Sequence, residues 1–207
     1  MRDVVSVLIV DDHPLLREGV AAVLEAEPDI RVVGEAVDGR DAIAQFERLR
    51  PDVVLMDLQM PDVDGVEAIG AIRARAPDAR IIVLTTYAGD VRALSALRAG
   101  ASGYLLKSSL RRELIDTIRT VLDGQRYLHP DVAHDIAVNA IAEPLSEREI
   151  DVLKRVAQGA ANKEIARALS LSEDTVKGHM RSIFSKLDVT DRTQAVTIAH
   201  RRGIIAL

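Results

Sequence analysis

The chain has no cysteine and no tryptophan among its 207 residues. Without thiols it can form no disulfide, no thiolate metal site and no cysteine nucleophile. Only five aromatic side chains occur (Phe46, Tyr87, Tyr104, Tyr127 and Phe184), so any core must be aliphatic. No apolar run approaches the roughly 18 residues of a membrane span. The run Val4–Val10 ends in Asp11-Asp12 with no small-residue cleavage site, so it does not read as a signal peptide. The expectation is a cytoplasmic protein with no membrane partner. Lysine is scarce as well, 5 against 22 arginines. Lys107 is the only lysine in the first 153 residues, and the other four (Lys154, Lys163, Lys177 and Lys186) fall in the tail. Unless it stands there by chance, Lys107 marks a place where a planar guanidinium does not serve.

What is present points to two domains. The length suits one large domain or two modest ones, and 48% apolar residues suffice for real cores. The net charge of −5 is unevenly spread: residues 1–120 carry 15 basic and 20 acidic groups, residues 146–207 carry 11 and 8. An acidic front and a basic tail suggest different partners, with the tail suited to nucleic acid, although so small an excess also fits a solvated surface.

Over residues 1–120, short apolar runs alternate with amphipathic stretches. The runs are Val4–Val10, Arg31–Ala36, Val53–Met56, Ile81–Leu84 and Tyr104–Leu106. Between them lie helical patterns, the first carrying Leu15, Leu16, Val20, Val23 and Leu24. Continuous apolar strands separated by helices predict a doubly wound, five-stranded parallel sheet covered on both faces. Residues 121–144 read as a linker, with a short helix over Pro130–Ala142. From 145 to 207 no strand pattern remains. Ser146-x-x-Glu149 is a capping box for a helix over about 146–158, and Asn162, Ser172 and Asp191 are candidate caps for three more. The tail is therefore expected to be a small all-α four-helix domain.

The strand ends carry the chemistry. The first strand runs into Asp11-Asp12, the third into Asp57, the fourth into Thr85 and the fifth into Lys107. In doubly wound sheets ligands bind outside the carboxyl ends of the strands, so these residues should converge. Three carboxylates together repel unless a cation neutralises them. Hard oxygen ligands with open positions suit Mg²⁺, which also accepts phosphate oxygens. A lysine and a threonine hydroxyl add donors for phosphoryl oxygens. Together they describe a site in which an aspartate becomes an aspartyl phosphate. Each residue alone has a plainer reading, since acids are common turn residues and threonine is a good strand former. Other site classes fit less well. No G-x-x-x-x-G-K-[ST] occurs, a calcium loop around Asp62-Val63-Asp64-Gly65 has Met60 and Ala71 at its first and twelfth positions, and Gln59 breaks a phosphatase-type D-x-D.

Residues 1–120 resemble a response-regulator receiver domain. The resemblance rests on Asp11-Asp12, Asp57-x-x-Met60-Pro61-x-x-Asp64-Gly65, Thr85 and Gly100-Ala-Ser-Gly-Tyr104-Leu-Leu-Lys107. It implies that Asp57 accepts phosphate from a sensor histidine kinase. Asp11, Asp12, Asp57 and the Gln59 backbone carbonyl would hold Mg²⁺, Asp11 mainly through water. Thr85 and Lys107 would bind the phosphoryl oxygens, and their movement would reposition Tyr104. Two positions depart from the usual pattern: Ser108 stands where many receivers have proline, and Thr86 replaces a smaller residue beside Thr85.

In the tail, the pattern Asn162–Leu169, Ser170-Leu171-Ser172, Glu173–Leu187 has helix-turn-helix spacing, whose second helix enters the major groove of DNA. Thr175, Lys177, Gly178, His179 and Arg181 lie in its first half, opposite a buried stripe of Val176, Met180, Ile183 and Phe184. Glycine within a helix costs about 1 kcal/mol against alanine. Close approach to DNA would justify Gly178, and a tolerated exposed glycine is the alternative. Residues 145–207 closely resemble the LuxR/NarL-type helix-turn-helix in Leu145-Ser-x-Arg148-Glu149, Asn162-Lys-Glu-Ile-Ala166, Thr175-Val-Lys-x-His179, Lys186-Leu187 and Arg192. That resemblance implies a homodimer on double-stranded DNA with the last helix at its interface.

The combined expectation is a phosphorylation-switched transcription regulator of a two-component system. It would be no enzyme apart from Mg²⁺-dependent autophosphorylation and autodephosphorylation of its own aspartate. A vestigial receiver that works without phosphate and an Asp-dependent phosphatase are the rivals.

Overall fold

The computed structural model describes residues 4–86, 92–141 and 143–205. Tyr87 and Ala142 lie outside these. The chain divides into two compact units, one ending at His134 and the other beginning at Asp135.

The first unit is a parallel sheet of six strands: β1 (Val5–Val10), β2 (Ile30–Ala36), β3 (Val53–Asp57), β4 (Ile81–Thr85), β5 (Gly103–Leu106) and β6 (Tyr127–Leu128). Their order is β2-β1-β3-β4-β5-β6. Five helices connect the strands: α1 (Pro14–Glu25), α2 (Gly39–Leu49), α3 (Gly65–Arg75), α4 (Arg92–Ala99) and α5 (Leu110–Leu122). Every residue of β3, β4 and β5 is buried, as the continuous apolar runs require when helices cover both faces. The strand order reverses between β1 and β3, which opens a crevice at their carboxyl ends. The registers Val10↔Met56, Asp57↔Leu84 and Thr85↔Leu106 bring the ends of four neighbouring strands to a common edge. Asp38 and Asp64 cap α2 and α3, accepting the backbone N–H groups of Asp41 and Glu67 at 2.8 and 2.9 Å.

Three expectations need correction here. The sheet has a sixth strand, formed from linker residues: β6 pairs with β5 through Gly103↔Tyr127 and Tyr104↔Leu128. β6 pairs backbone groups that the outer edge of β5 would otherwise expose, and two residues are too few to show an alternating pattern. Leu15, assigned to the apolar face of α1, is 82% exposed, because Pro14 starts the helix with Val20 and Leu24 turned to the core. In the second unit, Asn162 is the first helical residue and not the cap.

That unit follows α6 (Pro130–Ile141), inside which the division falls, and consists of α7 (Glu147–Ala157), α8 (Asn162–Leu169), α9 (Glu173–Leu187) and α10 (Arg192–Arg201). Val152, Leu153, Ile165, Val176, Ile183 and Ala195 lie at the centre of its aliphatic core. Ser146 and Glu149 form both halves of the capping box, at 3.3 and 2.7 Å. Ser172 and Asp191 cap α9 and α10 as expected. For α8 the N-cap is Ala161, whose side chain accepts nothing. Its free N–H is taken instead by the Glu164 carboxylate at 2.7 Å. Ser170 ends α8 in the left-handed region, at φ 55°, and so turns the chain toward α9.

Candidate functional site

At the common strand edge, Lys107 reaches two buried carboxylates at once. Its Nζ lies 2.7 Å from Asp11 Oδ2 and 3.0 Å from Asp57 Oδ2. Burial pushes the Asp57 carboxyl up against the pull of the Lys107 ammonium. Burial also works against charge on Lys107, but Asp57 and Asp11 together hold it above the usual lysine range. Gln59 enters through its backbone N–H, which donates to the Asp57 carboxylate. Thr85 is buried at the end of β4, and Tyr104 is fully buried within β5. Thr86 and Ser108 are exposed. No cis peptide occurs among the described residues, so the Lys107–Ser108 bond is trans.

The loop after β3 folds back over Asp57 because of Gly65. Its N–H donates to the Leu58 carbonyl at 3.2 Å, and a Cβ there would sit 2.1 Å from the Asp57 carbonyl oxygen. Any side chain would push α3 away from the strand that carries Asp57.

Two neighbours were not foreseen. His13 donates its backbone N–H to Asp11 Oδ1 at 2.9 Å and places Nδ1 2.6 Å from Asp12 Oδ1. Arg17 donates to the Asp11 backbone oxygen and to Glu35 Oε2, each at 2.8 Å. Their only sequence signal is proximity to the acidic pair. Among the described residues, the potential ligand atoms of Asp11, Asp12 and His13 lie within 4.8 Å of one another. The donor set fits a hard divalent cation: Asp11, Asp12 and Asp57 are oxygen donors, and Lys107 is the cation that the structure places against Asp11 and Asp57.

In the second unit, Thr175, Lys177, Gly178 and Arg181 are exposed on the first half of α9, and His179 is half-buried. Lys177 Nζ lies 3.0 Å from Asp174 Oδ1, and the Thr175 hydroxyl is 2.8 Å from that of Ser172. A Cβ on Gly178 would meet nothing within 4 Å, so no contact inside the chain demands glycine there. Lys177 and Arg181 share a shallow depression with Asn162, Met180, Phe184 and Arg192. Asn162 and Arg192 thus join the exposed face from neighbouring helices. Elsewhere in the unit, Lys186 lies 3.0 Å from the buried Glu149 carboxylate and 3.2 Å from Glu143. Burial alone would raise the Glu149 carboxyl, but hydrogen bonds from Ser182, the Ser146 backbone and Lys186 bring it down to about 2.

Comparison with known proteins accounts for both units. Residues 7–119 match the response regulator receiver domain, and residues 143–199 match the bacterial regulatory proteins of the luxR family. The chain is 43% identical to the transcriptional regulatory protein LiaR of Bacillus subtilis over 209 residues, covering 97% of this chain and 99% of that one. It is 39% identical to the response regulator protein VraR of Staphylococcus aureus over 206 residues, with 97% and 99% covered. Among solved structures, Salmonella enterica serovar Typhimurium RcsB bound to promoter DNA in the presence of a phosphomimetic is 28% identical, with a TM-score of 0.73 over 96% of this chain and 99% of that one. No helix among the described residues is long and apolar enough to cross a membrane. The chain belongs to the response-regulator family: it is a DNA-binding transcriptional regulator of the two-component type, a receiver domain joined to a LuxR-type helix-turn-helix domain.

Proposed function

We propose that Asp57 is the phosphoryl acceptor, charged by the phosphohistidine of a partner sensor histidine kinase, and that its state governs DNA binding by α9. The observation that carries this reading is the pair of buried carboxylates sharing one ammonium, with a third acid beside them. Asp11, Asp12, Asp57 and the Gln59 carbonyl oxygen are the groups that would hold Mg²⁺. The positive charge that Mg²⁺ supplies when bound lets a phosphoryl group approach the acids. An Asp57 carboxylate oxygen forms the new O–P bond as the P–N bond breaks, and the donor imidazole leaves with the P–N electron pair. Lys107 and the Thr85 hydroxyl then bind phosphoryl oxygens, Lys107 giving up its contact with Asp57. That exchange is the switch, with Tyr104 on the same strand as the element it moves. The chain's own chemistry is confined to phosphorylation from small-molecule donors and slow hydrolysis of its aspartyl phosphate.

The division of labour is a receiver over 1–120, a linker over 121–144 and a DNA-binding domain over 145–207. Thr175, Lys177, Gly178, His179 and Arg181 face the DNA of a promoter, and the chain binds there as a homodimer through α10, in the cytoplasm. The solved RcsB complexes, described as dimers bound to DNA, support the dimeric arrangement by likeness.

Acetyl phosphate and Mg²⁺ should add one hydroxylamine-labile phosphoryl group per chain, read by intact mass, and Asp57→Asn should abolish it. A phosphoryl group on the Asp57→Asn chain would place the acceptor elsewhere and end this reading.

A further inference from the structure

The linker residue His129 is 8% exposed, unusual for a polar residue outside the site already described. Strand β6 sets its position: with Tyr104↔Leu128 in register, the His129 backbone N–H donates to the Tyr104 carbonyl at 3.0 Å. Its ring then lies against the turn that follows β5. Nε2 is 3.1 Å from the hydroxyl of Ser109, itself buried in the single 3₁₀ turn Lys107–Ser109. Nδ1 accepts the Asp131 backbone N–H at 3.3 Å. A neutral ring that accepts at Nδ1 carries its proton on Nε2, so Nε2–H donates to Ser109. Glu113 of α5 approaches Nε2 at 3.7 Å and is held there by the Tyr127 hydroxyl, which donates to it at 2.8 Å. Burial and this carboxylate push Tyr127 up to about 12, so it remains a donor throughout the neutral range. The carbonyl of His129 accepts the first intrahelical bond of α6, from Ala133 at 2.9 Å.

One histidine thus joins three things: the edge of the sheet, the turn that starts with Lys107, and the head of α6. We propose that His129 is a positioning residue that couples Lys107 to the linker helix through Ser109. Motion of Lys107 onto a phosphoryl group displaces Ser109 two residues later, and the Nε2–H···Oγ bond transmits that displacement to the first turn of α6, the helix leading to the DNA-binding domain. The inference rests on the phosphoryl-acceptor reading above and adds the route by which it is reported.

The test uses the full chain, phosphorylated with acetyl phosphate and Mg²⁺, and a DNA duplex selected on the phosphorylated wild-type protein. Phosphate-affinity electrophoresis reads Asp57, and anisotropy reads the ratio of DNA affinities with and without phosphate. Coupling between sites commonly spans about 5–150-fold. Ser109→Ala, which removes one hydroxyl, and His129→Ala should both take up phosphate at Asp57 yet reduce that ratio to within about twofold of unity, below the range of such coupling. The double variant should lose no more than either single one. His129→Gln, whose amide can donate where Nε2 does, should recover a substantial part. A wild-type ratio in Ser109→Ala, or losses that add in the double variant, would overturn the proposal. Absence of phosphate on Asp57 in the wild-type chain is a different failure, that of the acceptor reading itself.

Discussion

Each unit buries a carboxylate against a lysine, and the two arrangements differ in what is left over. In the helical unit, Glu149 accepts from Lys186, Ser182 and both the backbone and hydroxyl of Ser146, and its carboxyl falls to about 2. Lys186 in turn reaches Glu143 and the Pro144 carbonyl. Lys186 thus also meets two carboxylates, but only Glu149 is buried, while Glu143 is exposed to solvent. At the sheet edge, one ammonium serves both Asp11 and Asp57, and burial drives the Asp57 carboxyl up. A buried ion pair with its partners complete is a staple. One with carboxylate to spare holds an unmet demand for positive charge, which is a requirement of a site that takes up a cation.

The contrast predicts opposite signs for similar substitutions. The largest effect belongs to Glu149→Ala, which breaks the capping box and leaves Lys186 without its buried partner. Losing the Glu149 half of the capping box and a charge-assisted hydrogen bond together should destabilise the helical unit by about 3 kcal/mol, measured by denaturant unfolding followed with probes in that unit. The same group gives a pH dependence. Its folded value, about 2, lies below the ordinary 4.5, so its contribution is fully present above pH 4.5 and is lost as pH falls toward about 2. A Glu149→Gln chain should therefore show a shallower loss of helical-unit stability over that window. An identical acid profile in both chains would mean Glu149 is not the staple described.

Asp57→Asn should do the reverse. Removing one of two acids that share Lys107 leaves a one-to-one pair with Asp11, while the amide oxygen can still accept the Gln59 N–H. In chelator, the receiver unit should be stabilised by about 1 kcal/mol, a modest sum because partial solvation screens the site. Added Mg²⁺ should raise the melting temperature of the wild-type receiver more than that of the variant. Destabilisation in chelator would show that the carboxylates are already balanced and would erase the difference between the two units.

How far this was legible in the sequence differs between the units for a physical reason. Five strands, their parallel order and the convergence of Asp11, Asp57, Thr85 and Lys107 follow from runs of apolar residues and from what stands at their ends. In a doubly wound sheet, chain order and strand-end position nearly determine proximity. The contacts that close the site do not announce themselves. His13 and Arg17 bind backbone and carboxylate groups through turns that no periodicity encodes. Strand β6 is two residues long, and His129 is a lone histidine in a linker until β6 fixes its register. In the helical unit, Ser146, Ser172 and Asp191 were readable as caps because capping is local. Asn162 resembles a cap but lies inside α8, where Glu164 supplies the capping bond from within the helix, and the Glu149–Lys186 pair spans 37 residues.

The smallest expected effect concerns the lysine that neither pattern holds. Lys177 is exposed and meets only Asp174, itself exposed, at 3.0 Å among the contacts that the structure shows for it. An exposed pair of this kind contributes about 0–1 kcal/mol, so exchanging Asp174 for a DNA phosphate costs little. Lys177→Ala should leave stability unchanged within about 0.5 kcal/mol but lower the slope of log affinity against log salt by about 0.9, one phosphate contact. Lys186→Ala is the matching control: it should weaken the helical unit, because Glu149 loses its cation, and leave the slope of the folded fraction alone. If instead Lys186→Ala shifts the slope and Lys177→Ala does not, the staple and the DNA-facing cation have been assigned to the wrong lysines. The distinction between matched and surplus charge would then fail in the unit where it is easiest to measure.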